Sequence, residues 1–222
     1  MFVINCKNYE EVTGRNISKL IKIARKVSKK YRVKIAVAPP QHLVGLAAST
    51  KGAGDIIILA QHADDSSAGS TTGYIIPELL KKSKVQGTLL NHSERRISQA
   101  QIKGTILRLK QLKMISIVCV KDVEEAKIYA KMAPDYIAIE PPELIGSGKA
   151  VSKERPDLIT DAASAVNATK NNTSLLCGAG IVSGYDVSKA LELGADGILV
   201  ASGIIKSDRW KKTISEFAKS MK

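Results

Sequence analysis

Aromatic residues are scarce in this 222-residue chain, with two Phe, six Tyr and one Trp, or 4% of the total. A core must therefore be built from Ile, Leu, Val and Ala, and few rings are available to stack on bases. Cysteine is also sparse. Cys6, Cys119 and Cys177 are odd in number, widely spaced and each set in apolar sequence. That pattern excludes a disulfide frame and a metal knuckle, and it predicts buried thiols in a reducing cytoplasm. No apolar run is long enough to span a bilayer, and the run opening Met1-Phe2-Val3-Ile4-Asn5 is too short for a signal peptide. Finally, carboxylates are outnumbered: 21 Asp and Glu face 34 Lys and Arg, for a formal charge of +13.

Such a charge raises the question of nucleic acid, and the spacing of the cations answers it. Lys19, Lys22, Arg25, Lys26, Lys29 and Lys30 interleave with Ile17, Leu20, Ile21, Ala24 and Val27, which recur at i, i+3, i+4 and i+7. They form the solvated face of an amphipathic helix, and the segments around Lys110 and Lys211 read the same way. No basic block lies beside stacking aromatics, so the reading is no nucleic acid and no membrane. Positive potential can still steer an anionic substrate.

What is present is an ordinary globular balance, 44% hydrophobic and 25% charged, with no linker-like segment, consistent with a single domain over 1–222. Short apolar runs rich in β-branched residues occur at Phe2–Asn5, Val33–Ala38, Ile56–Gln61, Gly87–Asn91, Ser116–Val120, Tyr136–Glu140, Ser174–Cys177 and Gly197–Val200. None alternates, as expected of strands buried on both faces. Helical segments lie between them, with capping-box spacing at Asp122/Glu125 and Ser183/Asp186. Eight strands alternating with helices predict an α/β fold, an eight-stranded parallel (β/α)8 barrel with trimmed helices and loops. A doubly wound open sheet is the alternative, because periodicity does not say whether a sheet closes.

In such a barrel the chemistry sits at the C-terminal strand ends. There the first strand delivers Asn5-Cys6-Lys7, the fourth Asn91-His92-Ser93-Glu94-Arg95-Arg96, the sixth Glu140, the seventh Cys177-Gly178-Ala179-Gly180-Ile181 and the eighth Val200-Ala201-Ser202-Gly203. Each alone has an ordinary structural explanation; a lysine, a histidine and a glutamate at one rim do not. A carboxylate beside Ile139, Leu144 and Ile145 loses hydration and gains basicity toward a carbon-bound proton. A neutral imidazole can hydrogen-bond a carbonyl oxygen, and an ammonium adds fixed positive charge. Backbone N–H groups of Gly178–Gly180 and Ala201–Gly203 suit a phosphate. Together these predict a 1,2-proton transfer on a small phosphorylated carbonyl compound.

Asn5-x-Lys7, Asn91 to Arg96, Glu140-Pro141 and the Gly-rich seventh loop resemble the triosephosphate isomerase family in order and spacing over the full chain. The short length, Pro142-Glu143-Leu144 and Cys177 to Ile181 resemble its compact archaeal branch. The resemblance implies interconversion of glyceraldehyde 3-phosphate and dihydroxyacetone phosphate without metal or organic cofactor, a step of glycolysis and gluconeogenesis. It implies Glu140 as base, His92 as electrophile, and Asn5 and Lys7 as groups that orient substrate and polarise the site. Glu94 would support Lys7, and Ile145, Gly146, Gly180, Ala201 and Ser202 would bind the phosphate end.

The segment after Glu140 then reads as a lid. Pro141 and Pro142 stiffen one hinge, Gly146 and Gly148 loosen the other, and Leu144 and Ile145 are expected as exposed apolar tips that cover the site. Two departures stand out. Many family members carry Tyr-Gly-Gly-Ser in the seventh loop, whose hydroxyls latch the lid, whereas Ala179-Gly180 has none. The lid also lacks the tryptophan of many relatives. Closure is therefore expected to rest on apolar and backbone contacts. Ser70-Thr71-Thr72-Gly73 resembles the family's interdigitating loop and predicts a homo-oligomer, dimer or tetramer, with Thr72 reaching a neighbour's Lys7 and Glu94. Another phosphate-binding barrel enzyme and a basic nucleic-acid-binding module are the alternatives.

Overall fold

In the computed structural model, which describes residues 1–50 and 52–222, eight parallel strands close into a barrel in sequence order. They are β1 Phe2–Asn5, β2 Ile35–Ala38, β3 Ile57–Ala60, β4 Gly87–Leu90, β5 Ile115–Val120, β6 Tyr136–Ile139, β7 Ser174–Gly178 and β8 Gly197–Val200. Phe2 pairs with Ile35 on one side and Ile198 on the other, so the first strand closes the ring. The open-sheet alternative is thereby excluded. Strand ends differ from the sequence reading by a residue or two. Val33 and Lys34 precede β2, Asn91 turns out of β4 at φ 60°, and Glu140 lies one residue past β6.

Among the described residues ten α-helices surround the barrel: α1 Asn16–Tyr31, α2 Val44–Ser49, α3 Pro77–Lys82, α4 Gln99–Gln111, α5 Val123–Ala130, α6 Val151–Glu154, α7 Pro156–Asn167, α8 Gly184–Glu192, α9 Ser202–Ile205 and α10 Trp210–Lys219. Four of them have six residues or fewer, which is how eight units fit in this length. The α1 helix buries Ile17, Leu20, Ile21, Ala24 and Val27, the expected stripe. Each large aliphatic side chain so buried contributes roughly 1.5–3 kcal/mol. Ser183 and Asp186 make the full reciprocal capping box. Asp122 caps α5 from one side only, because the Glu125 carboxylate turns instead to the Lys121 N–H and to Arg96. Ser98 and Gln101 form a further box that the sequence reading passed over.

Two cores follow from the period of two along each strand. Inward residues Val3, Ala36, Ala38, Leu59, Leu89, Ile117, Cys119, Ala138, Leu176 and Leu199 fill the barrel. Outward residues such as Ile4, Val37, Ile58, Leu90, Val118, Ile137 and Ile198 pack against the helices. Both strand faces are thus apolar, which explains the absence of alternation. The interior filling is small and aliphatic, so only the C-terminal mouth is left for polar groups.

Candidate active site

Continuing the inward rows one step beyond the filling brings polar residues to the mouth. Val3 leads to Asn5, Leu89 to Asn91, Ala138 to Glu140 and Leu176 to Gly178. Asn5, Asn91, His92 and Glu140 are all buried, at 7% exposure or less. Two of the turns here are conformationally unusual. Lys7 has φ 44° and Asn91 φ 60°, the left-handed region that non-glycine residues enter at a cost and that clusters at functional sites. Each is held by side-chain amides. The Lys7 N–H donates to Asn5 Oδ1 at 3.0 Å, and Gln61 Nε2 donates to the Lys7 carbonyl at 2.8 Å. Asn91 donates to the Cys119 carbonyl and accepts from the Ile97 N–H.

Lys7 Nζ pairs with Glu94 Oε1 at 2.6 Å. The backbone N–H of Glu94 donates to His92 Nδ1 at 3.2 Å. This contact makes Nδ1 the accepting nitrogen of the ring. His92 Nε2 faces Glu140 Oε2 at 3.6 Å. Neither of these buried atoms has a hydrogen-bond partner. Burial pushes the Glu140 carboxyl up from its ordinary value of 4.5, against the pull of the His92 ring, the Lys7 ammonium and the neighbouring Cys119 thiol.

The expected phosphate-end residues also come together. Ile145, Gly146, Gly180, Ala201 and Ser202 line one small cavity of about 30 Å³, which Glu140 and Lys7 also reach. Asn5, Lys7, His92 and Glu94 line a neighbouring cavity of about 230 Å³. Lys7 belongs to both, so it stands between the reacting groups and the glycine-rich loops.

The lid differs from expectation in one respect and adds another. Leu144 is not an exposed tip: it is 8% exposed and joins the outer core, at the end of a short 3-10 turn from Pro142 to Leu144. The two prolines direct the chain back onto the barrel, and Ile145 alone is half-buried at the site. At the far end the Val151 N–H donates to the Ala179 carbonyl at 3.3 Å, a backbone tie between lid and seventh loop. A Cβ on Gly180, at φ 69°, would lie 1.7 Å from the Lys149 carbonyl oxygen, so that approach requires glycine. An ionic tie was not foreseen. Lys153, just after the lid, reaches Asp186 Oδ1 at 2.8 Å and lies 5.3 Å from the Tyr185 ring centroid. Asp186 is fully buried, which alone would raise its carboxyl. Lys153, the Ser183 hydroxyl and the Val182 N–H together hold it below its ordinary value.

Three residues of the site were missed by sequence reasoning. Cys119 read as an inert buried thiol, yet it lies close enough to the Glu140 carboxylate to favour its ionised form. Gly178 read as part of an anion nest or a turn. Its role is space: a Cβ there would lie 2.6 Å from Glu140 Cγ. Gln61 read only as a strand end. The inward parity of Cys119 and Gly178 was the available signal. Among the described residues, no group of three His, Cys, Asp or Glu side chains is placed to hold a metal ion.

The chain also matches known proteins over its length. A sequence model described as triosephosphate isomerase matches residues 1–217. The chain is 55% identical over 221 residues to the triosephosphate isomerase of Cenarchaeum symbiosum (strain A), covering 100% of this chain and 97% of that protein. It is 43% identical to that of Methanothermus fervidus, covering 100% and 98%, and 42% identical to that of Methanocaldococcus jannaschii, covering 99% of both. Closed barrel and full-length similarity coincide, and the chain belongs to the triosephosphate isomerase family.

Proposed function

We propose that the whole chain, 1–222, acts as one catalytic domain that interconverts D-glyceraldehyde 3-phosphate and dihydroxyacetone phosphate, with Glu140 as base and His92 as electrophile. The observation that carries this reading is the pair of buried, unpartnered atoms His92 Nε2 and Glu140 Oε2, 3.6 Å apart. The carboxylate takes a proton from the carbon beside the carbonyl. The carbonyl oxygen accepts the hydrogen of the neutral imidazole as its charge grows, and the Lys7 ammonium stabilises the resulting enediolate. His92 moves the hydroxyl hydrogen from one enediolate oxygen to the other, and Glu140 returns the carbon-bound proton to the adjacent carbon, which completes the exchange. Asn5 and Glu94 orient Lys7. Amides near Ile145, Gly146, Gly180, Ala201 and Ser202 hold the phosphate, whose fixed position makes the proton transfer effectively intramolecular. A closing lid, of which this family is the familiar instance, excludes water and keeps the enediolate from eliminating phosphate.

A coupled assay on purified protein tests the activity, and isomerisation in deuterated water tests the route. Solvent deuterium is expected at the carbon next to the carbonyl, because one base holds the proton between two positions. Turnover without incorporation would refute the enediolate.

The raised carboxyl sets the pH dependence. Glu140 must be ionised to act as a base, so kcat/KM is expected to fall as pH drops through a value above the ordinary 4.5. A profile flat down to pH 4 would show that burial does not govern this group.

For assembly, the reading is a homo-oligomer. Ser66–Gly73 is a mostly exposed loop with Thr72 exposed, and Tyr74 behind it is 57% exposed. A large exposed ring beside such a loop favours a covered face. In this reading Thr72 of one subunit approaches Lys7 and Glu94 of the next. Light scattering at micromolar concentration is expected to give at least twice the 23.8 kDa chain mass, and a fully active monomer would overturn it. The three cysteines are free and buried, which supports a reducing, cytoplasmic location. No described helix is long and apolar enough to cross a membrane.

A further inference from the structure

A large cavity lies outside the site just described. It measures about 800 Å³ and opens between α1 and the segment joining α9 to α10. That is the size range of pockets for whole small molecules. Five cations line it: Lys19 from α1, and Lys206, Arg209, Lys211 and Lys212 from the connecting segment and the start of α10. Two carboxylates, Glu11 and Asp208, accompany them, leaving an excess of three positive charges. Glu11 is already engaged with Lys206 at 2.7 Å. Among the described residues, Lys19, Arg209, Lys211 and Lys212 make no ion pair.

This wall is built, not merely decorated. The Trp210 indole N–H donates to the Ile205 carbonyl at 3.1 Å, and the Arg209 N–H donates to Ser207 Oγ at 3.2 Å. These bonds fix the connecting segment. Lys19 Nζ stands 6.0 Å from the Trp210 ring centroid. On the other side of Lys19 and Ile23 lies a second cavity of about 540 Å³, bordered by Arg15, Lys22 and Lys26 and by no carboxylate. The α1 helix carries no Asp or Glu at all. Four unpaired cations held around one cavity, with more along the adjoining helix, repel one another; a bound polyanion would relieve that repulsion. A triose phosphate carries too little charge to engage them all, and the cavity is distinct from the one lined by Gly180 and Ser202.

We infer that this cavity is a second, non-catalytic site for a short phosphate-chain anion, either inorganic or carried on a nucleoside. Lysine and arginine supply its charge recognition, and the face of Trp210 is available to a planar base once Lys19 turns to the phosphates.

The chain has one tryptophan, and it lines this cavity, so tryptophan emission excited beyond the tyrosine absorption band reports on the site. Purified protein is titrated with sodium tripolyphosphate and, separately, with a nucleoside triphosphate, at about 150 mM salt where weak surface attraction is screened. Sodium chloride at matched ionic strength is the control. A saturable change with half-saturation below about 1 mM is expected. The Lys211→Glu/Lys212→Glu protein should need at least about tenfold more ligand, with kcat/KM for triose phosphate within about twofold of wild type. Lys211→Gln/Lys212→Gln provides a neutral second variant should the reversal disturb α10. A nucleoside triphosphate that binds about tenfold more tightly than tripolyphosphate assigns the site to nucleotides, and equal binding assigns it to the phosphate chain; both support the inference. A change that never saturates, that sodium chloride reproduces, or that both variants leave intact overturns it. So does a single-stranded oligonucleotide that binds more than about tenfold tighter than either ligand, which would make this a nucleic-acid surface.

Discussion

Glu140→Gln is expected to lower turnover by at least about 10²-fold, the lower end of what a positioned general base contributes, while the folded protein becomes no less stable. The two effects have one cause. Burial raises the Glu140 carboxyl, so the folded state binds its proton more tightly than the unfolded chain does. Ionising it therefore costs folding free energy, and the cost grows as pH rises from about 4.5 through the raised value. At neutral pH the wild type bears that cost and the amide does not. The melting temperature of the Gln variant should equal or exceed that of wild type at pH 7, with the difference vanishing in acid. Phosphate binding should change little, because the proposed grip lies in backbone amides of the lid and of the seventh and eighth loops. His92→Gln should also slow turnover, by weakening oxyanion stabilisation, yet retain the proton acceptor. A Glu140→Gln enzyme near the wild-type rate would sink the mechanism.

Gly178→Ala should produce a loss of similar size from a single methyl group that touches no substrate. Its Cβ would meet Glu140 Cγ at 2.6 Å and Oε1 at 2.9 Å. The Gly178 backbone is fixed by pairing with Leu199, so the carboxylate must give way. Displacing a reacting group by about 1 Å can cost roughly 10²-fold in rate. The loss should fall on kcat with KM nearly kept, because the phosphate loops begin beyond this residue. The acid limb of the pH profile should shift as well, since Glu140 would leave its buried seat beside Cys119. A variant with wild-type kcat would show that the strand end yields more easily than the glutamate.

Much of the fold was legible because its signals are local. Unbroken apolar runs such as Leu175-Leu176-Cys177 announce strands covered on both faces, and the lysine-flanked stripe of α1 announces an outer helix. Strand boundaries were less legible. Asn91 leaves β4 because its own side chain bonds Cys119 and Ile97 across the mouth, a competition no window of sequence displays. Leu144 misled for a related reason. Next to prolines and glycines it reads as a loop tip, but the 3-10 turn of Pro142–Leu144 folds it into the outer core.

The sequence by itself determined the repeating β/α rhythm, the residues delivered to each strand end and the chemical class those residues can support. These depend on side-chain type and period along the chain. Only the tertiary structure decided that the ring closes, because closure is a pairing of Phe2 with Ile198 across nearly the whole chain. Only it decided that Gly178 clears space for Glu140, that the Glu94 N–H meets His92 Nδ1, and that Lys153 reaches Asp186. Each of these is a distance between residues far apart or differently oriented. Electrostatics and steric exclusion act over a few ångströms of space, whatever the separation in sequence.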